Sequence, residues 1–284
     1  MKTVVDALTL KTRLDSGERI VLLDVRWVLG DPNGHAHYLE AHIPGAVYVD
    51  LHHELADPAV QGAGRHPLPA KEALQRSARA WGINAGDTVV AYDDNGNTAA
   101  ARAWWLLRDA GVSSVFMLDG GLGAWRAAGL PLNKGEHAPL PGNVVLGRGH
   151  LPATDMPGAS DWHRHGLLLD ARAGERYRGE LEPVDPRAGH IPGALSAPTG
   201  ENLDATGRFL PPDQLRARFK DLGVDDGTDV AVYCGSGVTA AHQIAALEIA
   251  GFRATLYPGS FSQWSSEPSN EVAVGADPGG SVGE

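Results

Sequence analysis

The chain has a single cysteine, few aromatic residues (6%), a deficit of positive charge and no long apolar run. Each scarcity excludes something. One thiol in 284 residues cannot build an internal disulfide framework, a zinc ribbon or a Cys-ligated iron–sulfur cluster, since each needs several thiolates at set spacings. Twenty-four Lys and Arg against 35 Asp and Glu leave a net charge of −11, which argues against nucleic acid as the main partner. No segment approaches the roughly 20 apolar residues that cross a bilayer, so no membrane partner is expected either. The first twenty residues mix acidic and basic side chains without a continuous apolar stretch or a small-residue cleavage site, which fits a reducing, cytoplasmic setting. What remains is an ordinary globular composition, 43% hydrophobic and 21% charged, in a length that suits two domains.

The chain repeats itself. Val21-Leu22-Leu23-Asp24-Val25-Arg26 returns as Leu167-Leu168-Leu169-Asp170-Ala171-Arg172, and His42-Ile43-Pro44-Gly45-Ala46 as His190-Ile191-Pro192-Gly193-Ala194. In the same order Gly64-Arg65 is echoed by Gly207-Arg208, Thr88–Tyr92 by Asp229–Tyr233, and Gly120–Trp125 by Gly259–Trp264. Five collinear matches mark a tandem duplication of one domain. Within each copy, short apolar runs alternate with stretches of helical period, the pattern of a parallel sheet flanked by helices. The fold class is therefore α/β, two tandem domains each with such a sheet.

Strands are expected near Ile20–Asp24, Ala46–Val49, Thr88–Tyr92 and Val115–Leu118, and helices near Val5–Leu14, Lys71–Trp81, Thr98–Ala110 and Leu122–Ala128. In the second copy strands are expected near Leu167–Asp170, Ala194–Ser196, Asp229–Tyr233 and Ala254–Tyr257, with helices near Pro212–Leu222 and Thr239–Ala250. The join falls in the Pro-, Gly- and His-rich stretch Pro131–Pro157, giving an N-terminal domain at 1–135, a linker at 136–157 and a C-terminal domain at 158–284. The acidic, Gly/Pro-rich stretch Glu267–Glu284 is expected to fray.

Aligning the copies sets Tyr92-Asp93-Asp94-Asn95-Gly96-Asn97-Thr98 opposite Tyr233-Cys234-Gly235-Ser236-Gly237-Val238-Thr239, so the lone cysteine stands where the first copy has an aspartate. It lies between a buried strand and a helix, where open α/β sheets place their ligands. Gly235 and Gly237 allow the backbone N–H groups of the loop to turn inward as an anion-holding nest, and the helix start behind it adds partial positive charge. Both favour the thiolate over the thiol, so Cys234 is a candidate nucleophile; the alternative is a small buried hydrophobe.

Other signals are weaker. Gly235-Ser236-Gly237-Val238-Thr239-Ala240 fits the dinucleotide pattern G-x-G-x-x-A, but the next strand, Ala254-Thr255-Leu256-Tyr257, has no acidic residue for a ribose. A cysteine phosphatase would need an arginine where Ala240 stands. No pair among the 12 histidines has metal-ligand register with a carboxylate on a helix, so surface or linker roles are expected, with no metal and no cofactor. Trp125 and Trp264 read as core, with Trp264 also a candidate wall for the Cys234 loop.

The duplication, the His-Ile-Pro-Gly-Ala element in both halves and the loop Cys234-Gly235-Ser236-Gly237-Val238-Thr239 resemble the tandem-domain rhodanese-family sulfurtransferases, in particular the branch that uses 3-mercaptopyruvate. The resemblance spans Leu8 to Trp264. It implies a silent first domain and a catalytic cleft between the domains. It also implies that Cys234 takes sulfur from a small donor as a persulfide, leaves pyruvate, and passes the sulfur to cyanide or a thiol such as thioredoxin or glutathione. Arg176 corresponds to a carboxylate-binding arginine of the family, Arg187 is the candidate for a second, and Gly235, Gly237, Val238 and Thr239 line the loop. Ser236 corresponds to a serine that works with a histidine and an aspartate, for which His42 and Asp31 are the candidates, with Asp24 competing for the aspartate. For His42 a structural role in its turn stays open because His190 echoes it, and Asp24 and Asp170 read as turn or cap residues. The loop has no cationic side chain, which favours mercaptopyruvate over the thiosulfate dianion; a thiosulfate sulfurtransferase and a non-catalytic sulfur carrier or redox sensor are the alternatives.

Overall fold

The runs Ile20–Asp24 and Leu167–Asp170 are apolar without alternation, as strands covered on both faces must be, and both become inner strands of parallel sheets. The computed structural model describes residues 3–282, which fall into two compact units.

The first unit comprises the chain up to Asp57 together with Leu68–Leu151 and Leu203–Phe209. Its elements are β1 (Val4–Val5), α1 (Ala7–Asp15), β2 (Ile20–Asp24), α2 (Gly34–Glu40), β3 (Ala46–Tyr48), α3 (Leu51–Glu54), α4 (Lys71–Ala80), β4 (Thr88–Tyr92), α5 (Ala100–Asp109), β5 (Val115–Leu118) and α6 (Gly121–Ala127). The five strands pair in parallel in the order β1-β5-β4-β2-β3, with Asp24 level with both Tyr48 and Tyr92. Helix α5 is apolar nearly all round and correspondingly buried, whereas α4 keeps a polar face to solvent. The expected linker is irregular chain, but it is held to this unit by amides: Gly142 donates to Arg79 O (2.7 Å), Val144 to Ile83 O (3.1 Å) and Gly147 to Ala110 O (2.8 Å).

The second unit comprises Pro58–Pro67, Pro152–Asn202 and the chain from Leu210 onward. Its elements are α7 (Met156–Asp161), β6 (Leu167–Asp170), α8 (Gly174–Tyr177), β7 (Leu195–Ser196), α9 (Pro212–Asp221), β8 (Val230–Tyr233), α10 (Thr239–Ile249), β9 (Thr255–Leu256), α11 (Ser260–Trp264), β10 (Ala273–Val274) and β11 (Ser281–Val282). The parallel order β7-β6-β8-β9 reproduces β3-β2-β4-β5, and an isolated parallel bridge between Ala153 and Leu256 stands in for β1. Two short segments thus belong to the unit of the other half of the chain: 58–67 to the second and Leu203–Phe209 to the first.

The repeated motifs have structural work in both units. At the end of β2, Asp24 receives Arg26 through Nε (3.1 Å) and Nη2 (2.7 Å); at the end of β6, Asp170 receives Arg172 through Nε (3.0 Å) and Nη2 (2.6 Å). All four side chains are buried, and the paired geometry is what makes the burial of charge tolerable. In the His-Ile-Pro-Gly-Ala turns, His42 Nδ1 bonds Tyr38 O (2.9 Å) and stacks on the Tyr38 ring, and His190 Nδ1 bonds Tyr177 O (2.8 Å) and stacks on Tyr177. The same bond and stack twice over make His42 a turn residue, which corrects its assignment to proton transfer. Asp31 likewise serves its own segment. Its carboxylate accepts from Asn33 N (2.9 Å) and bonds His37 Nε2 (3.0 Å), contacts that hold it below the ordinary carboxylate range, and no hydrogen bond joins it to His42.

The tail expected to fray is tied down over its described part. Strands β10 and β11 pair antiparallel, Ala273 and His190 exchange backbone hydrogen bonds (2.8 and 3.0 Å), and Trp264 Nε1 donates to Glu271 O (2.8 Å). Arg187 seals the segment by donating to Ser265 O (2.9 Å), Asn270 O (2.6 Å), Glu267 O (2.7 Å) and Trp264 O (3.2 Å). With Nε and both Nη atoms committed to carbonyls, Arg187 is a staple of the tail, which corrects its sequence assignment as a second donor-binding arginine. Gly283 and Glu284 lie outside the described residues.

Replacing Arg187 by Ala strips these carbonyls of their donor and should lower unfolding free energy by about 1–3 kcal/mol. Amide exchange should rise within Ser265–Val274; unchanged exchange there would refute the stapling role.

Candidate functional site

The loop after β8 is shaped by its glycines and its neighbours. Gly237 has φ of +76°, and a Cβ there would meet Pro258 O at 2.4 Å, so only glycine fits without displacement. Its N–H points back at Cys234 Sγ, 3.1 Å away. The Cys234 side chain is buried, and its backbone is fixed by α11: Cys234 N donates to Ser260 Oγ (3.1 Å), Phe261 N to Cys234 O (2.9 Å) and Ser262 N to Gly235 O (2.9 Å). Ser260 holds a left-handed φ of +54°, a conformation that costs a non-glycine residue about 1 kcal/mol or more. Its counterpart Gly121 has φ of +55°; serine occupies the site here because its hydroxyl is needed by Cys234 N.

The first unit shows what such a loop is built to hold. Asp93, in the place of Cys234, is buried, and its Oδ1 accepts from Asn95 N and Asn97 N (both 2.8 Å) while Oδ2 accepts from Ala99 N (2.8 Å) and Ala100 N (3.0 Å). Four backbone donors converge on one covalently supplied anion. At the aligned place in the second unit, the Cys234 sulfur accepts the N–H of Gly237. Val238 is buried just before α10, and Thr239 is the first residue of that helix.

Segment 58–67 brings two more side chains to this loop, Arg65 and His66, neither of which sequence reasoning proposed as a site residue. His66 Nδ1 shares a 2.8 Å hydrogen bond with Ser236 Oγ, so the histidine beside Ser236 is His66 and not His42. Arg65 donates its backbone N–H to Ser262 Oγ (3.0 Å) and its Nη1 to Asp185 Oδ1. A Cβ placed on Gly235 would meet Arg65 Nη2 at 3.0 Å and Arg176 Nη1 at 3.3 Å, so two guanidinium groups lie over the residue next to the cysteine. Arg176 also donates to Glu182 Oε1 (2.7 Å) and Oε2 (3.2 Å) and to Asp185 Oδ2 (3.0 Å). Burial opposes the Glu182 carboxylate, but Arg176 and the amides of Asp185 and Val184 outweigh it and hold it below the ordinary range. For Asp185 burial prevails and pushes the carboxyl up, against Arg65 and Arg176. Trp264 packs in the core with Leu168, Ile191 and Phe261. The one sequence signal that pointed at this segment was the echo of Gly64-Arg65 in Gly207-Arg208; in the first unit Arg208 lies against Gly120.

The arrangement is a buried cysteine with an N–H on its sulfur, a Ser–His pair two residues on, and two guanidinium groups over the intervening Gly235. A family model described as the rhodanese-like domain matches residues 6–128 and 154–267. The chain is 47% identical over 266 residues to a Pseudomonas aeruginosa protein named as a 3-mercaptopyruvate sulfurtransferase, covering 90% of this chain and 93% of that one. It is 46% identical over 281 residues to a Mycobacterium tuberculosis protein, SseB, named as a thiosulfate sulfurtransferase, covering 96% and 98% respectively. Among solved structures it is similar to the 3-mercaptopyruvate sulfurtransferase SseA of Escherichia coli, with a TM-score of 0.81 and 32% identity over 92% of this chain and all of that one.

Gly237→Ala should cost about 1–3 kcal/mol through its left-handed φ and its clash with Pro258 O. It should also slow alkylation of Cys234 by iodoacetamide as the amide leaves the sulfur; wild-type stability and alkylation rate together would show that the loop does not need this glycine.

Proposed function

The chain belongs to the rhodanese family, and on that premise we propose that it is a sulfurtransferase taking sulfur from 3-mercaptopyruvate, holding it on Cys234 and delivering it to a thiol such as thioredoxin or glutathione, or to cyanide. The observation that carries this reading is the pair of guanidinium groups over Gly235, beside the only cysteine of the chain. A planar guanidinium grips a carboxylate through two parallel hydrogen bonds, and mercaptopyruvate offers a carboxylate bonded to its ketone carbon, with the thiol on the carbon beyond.

In the proposed reaction the Cys234 thiolate attacks the donor sulfur. The S–S bond forms as the C–S bond breaks, and the electron pair leaves on carbon as the enolate of pyruvate. Protonation of that carbon gives pyruvate and leaves Cys234 as a persulfide, with atoms and charge in balance. The Ser236–His66 pair is placed to move the proton, either by removing it from the donor thiol or by returning it to the enolate. The N–H of Gly237 favours negative charge on Sγ. In the second half-reaction an acceptor thiolate attacks the outer sulfur and Cys234 leaves as thiolate. Arg65 takes the place beside Arg176 for which Arg187 was the sequence candidate.

Thiosulfate is the second reading, favoured by the name of the Mycobacterium tuberculosis relative. Steady-state assays with each donor and cyanide separate the two, reading thiocyanate in both cases and pyruvate with mercaptopyruvate. The proposal expects mercaptopyruvate to have the higher kcat/KM and Cys234→Ser to abolish turnover; a large preference for thiosulfate, or an active Cys234→Ser, would overturn it. Arg176→Ala should raise KM for mercaptopyruvate about tenfold or more, as expected for loss of a charge-assisted bond to the donor. An unchanged KM would remove Arg176 from the donor site.

A further inference from the structure

The two cations over Gly235 are not free charges. The Asp185 side chain is 1% exposed and bridges them, with Oδ1 on Arg65 Nη1 and Oδ2 on Arg176 Nη2. Glu182, 3% exposed, takes the rest of Arg176 and also Arg172 Nη1 (3.3 Å), and Asp170 takes the remainder of Arg172. Three arginines are thus matched by three carboxylates in one connected cluster. Such a cluster has little net field when all six groups are ionised. It nevertheless presents directed donors: Arg65 Nη2 and Arg176 Nη1 face Gly235, and Arg65 Nε is buried without an acceptor. Recognition then depends on hydrogen-bond geometry more than on charge.

We propose that Asp185 sets the donor specificity of the site: by bridging Arg65 and Arg176 it fixes their remaining donors over Gly235 and cancels charge there, so a singly charged carboxylate donor is accepted in preference to a dianion such as thiosulfate. The inference rests on the reading of Cys234 as the sulfur-accepting nucleophile. Asp185 acts through the arginines and is a positioning residue. A site with one carboxylate fewer gains a unit of positive charge, which benefits a dianion more than a monoanion.

The test is steady-state kinetics with mercaptopyruvate and with thiosulfate, cyanide as acceptor, on wild type, Asp185→Asn and Asp185→Glu. Asp185→Asn should raise the ratio of kcat/KM for thiosulfate to that for mercaptopyruvate about tenfold or more. The change should lie mainly in KM, lower for thiosulfate and higher for mercaptopyruvate, and Asp185→Glu should restore most of the wild-type ratio. If both donors lose activity in proportion, the residue is merely structural and the proposal falls. Should Asp185→Asn fail to fold, the wild type decides: a neutral cluster predicts a thiosulfate KM that changes little with ionic strength, whereas a KM rising steeply with salt would reveal a net cationic pocket and overturn the proposal. If neither donor is turned over by the wild type, the sulfurtransferase reading fails and this one with it; if turnover is normal and the ratio does not move, only this one fails.

Discussion

Backbone amides turned inward at the carboxyl end of the strand, capped by the start of a helix, need an anion, and the two halves of this chain supply it differently. In the first unit Asp93 fills the ring with its own carboxylate and accepts four N–H groups. That arrangement is stable and chemically finished. In the second unit Cys234 stands at the same place and accepts the N–H of Gly237, and a sulfur can carry negative charge as thiolate or persulfide and can also give it up. One side chain replaced in a duplicated frame thus leaves a carboxylate bound by four amides in one unit and a buried thiol in the other.

The rest of each unit positions that ring. The Asp24–Arg26 and Asp170–Arg172 pairs brace the neighbouring strand end, and the turns of His42 and His190 lock the chain between β2 and β3 and between β6 and β7. In the second unit the bracing continues outward: Arg172 leads to Glu182, Glu182 to Arg176, Arg176 to Asp185, and Asp185 to Arg65. A chain of alternating charges of this kind fixes the heads of long side chains that would otherwise lose entropy on meeting a ligand. Preorganised donors are what a carboxylate-binding site requires.

The duplication, the sheets and the place of the lone cysteine in an aligned loop were legible in the sequence because they rest on local pattern: apolar runs, glycines at fixed offsets, one residue replaced. Short helices were not. Gly34–Glu40 and Gly174–Tyr177 span too few residues to show a period. The side-chain partners of the cysteine loop were legible only by type. His42 attracted attention because it sits in a conspicuous motif, but the motif is a turn and its histidine serves the turn twice. His66 stands in an unremarkable Gly-Arg-His-Pro stretch, and what brings it to Ser236 is that segment 58–67 is built into the second unit, a placement that no periodicity records. Arg187 was the arginine at hand before the second His-Ile-Pro-Gly-Ala element, and only the carbonyls around it reveal its commitment to the tail. The frayed tail was a judgement from composition that the pairing of Ala273–Val274 with Ser281–Val282 reverses.

The central claim is that the anion of the second nest is a sulfur on Cys234. Intact-mass measurement after incubation with mercaptopyruvate alone, without reductant or acceptor, tests it most directly. The account predicts that the protein gains the mass of one sulfur atom, localised to the peptide containing Cys234, together with one equivalent of pyruvate, and that the gain is lost on adding cyanide. A protein that releases pyruvate without gaining sulfur, or a Cys234→Ser variant that gains it equally, would contradict the account.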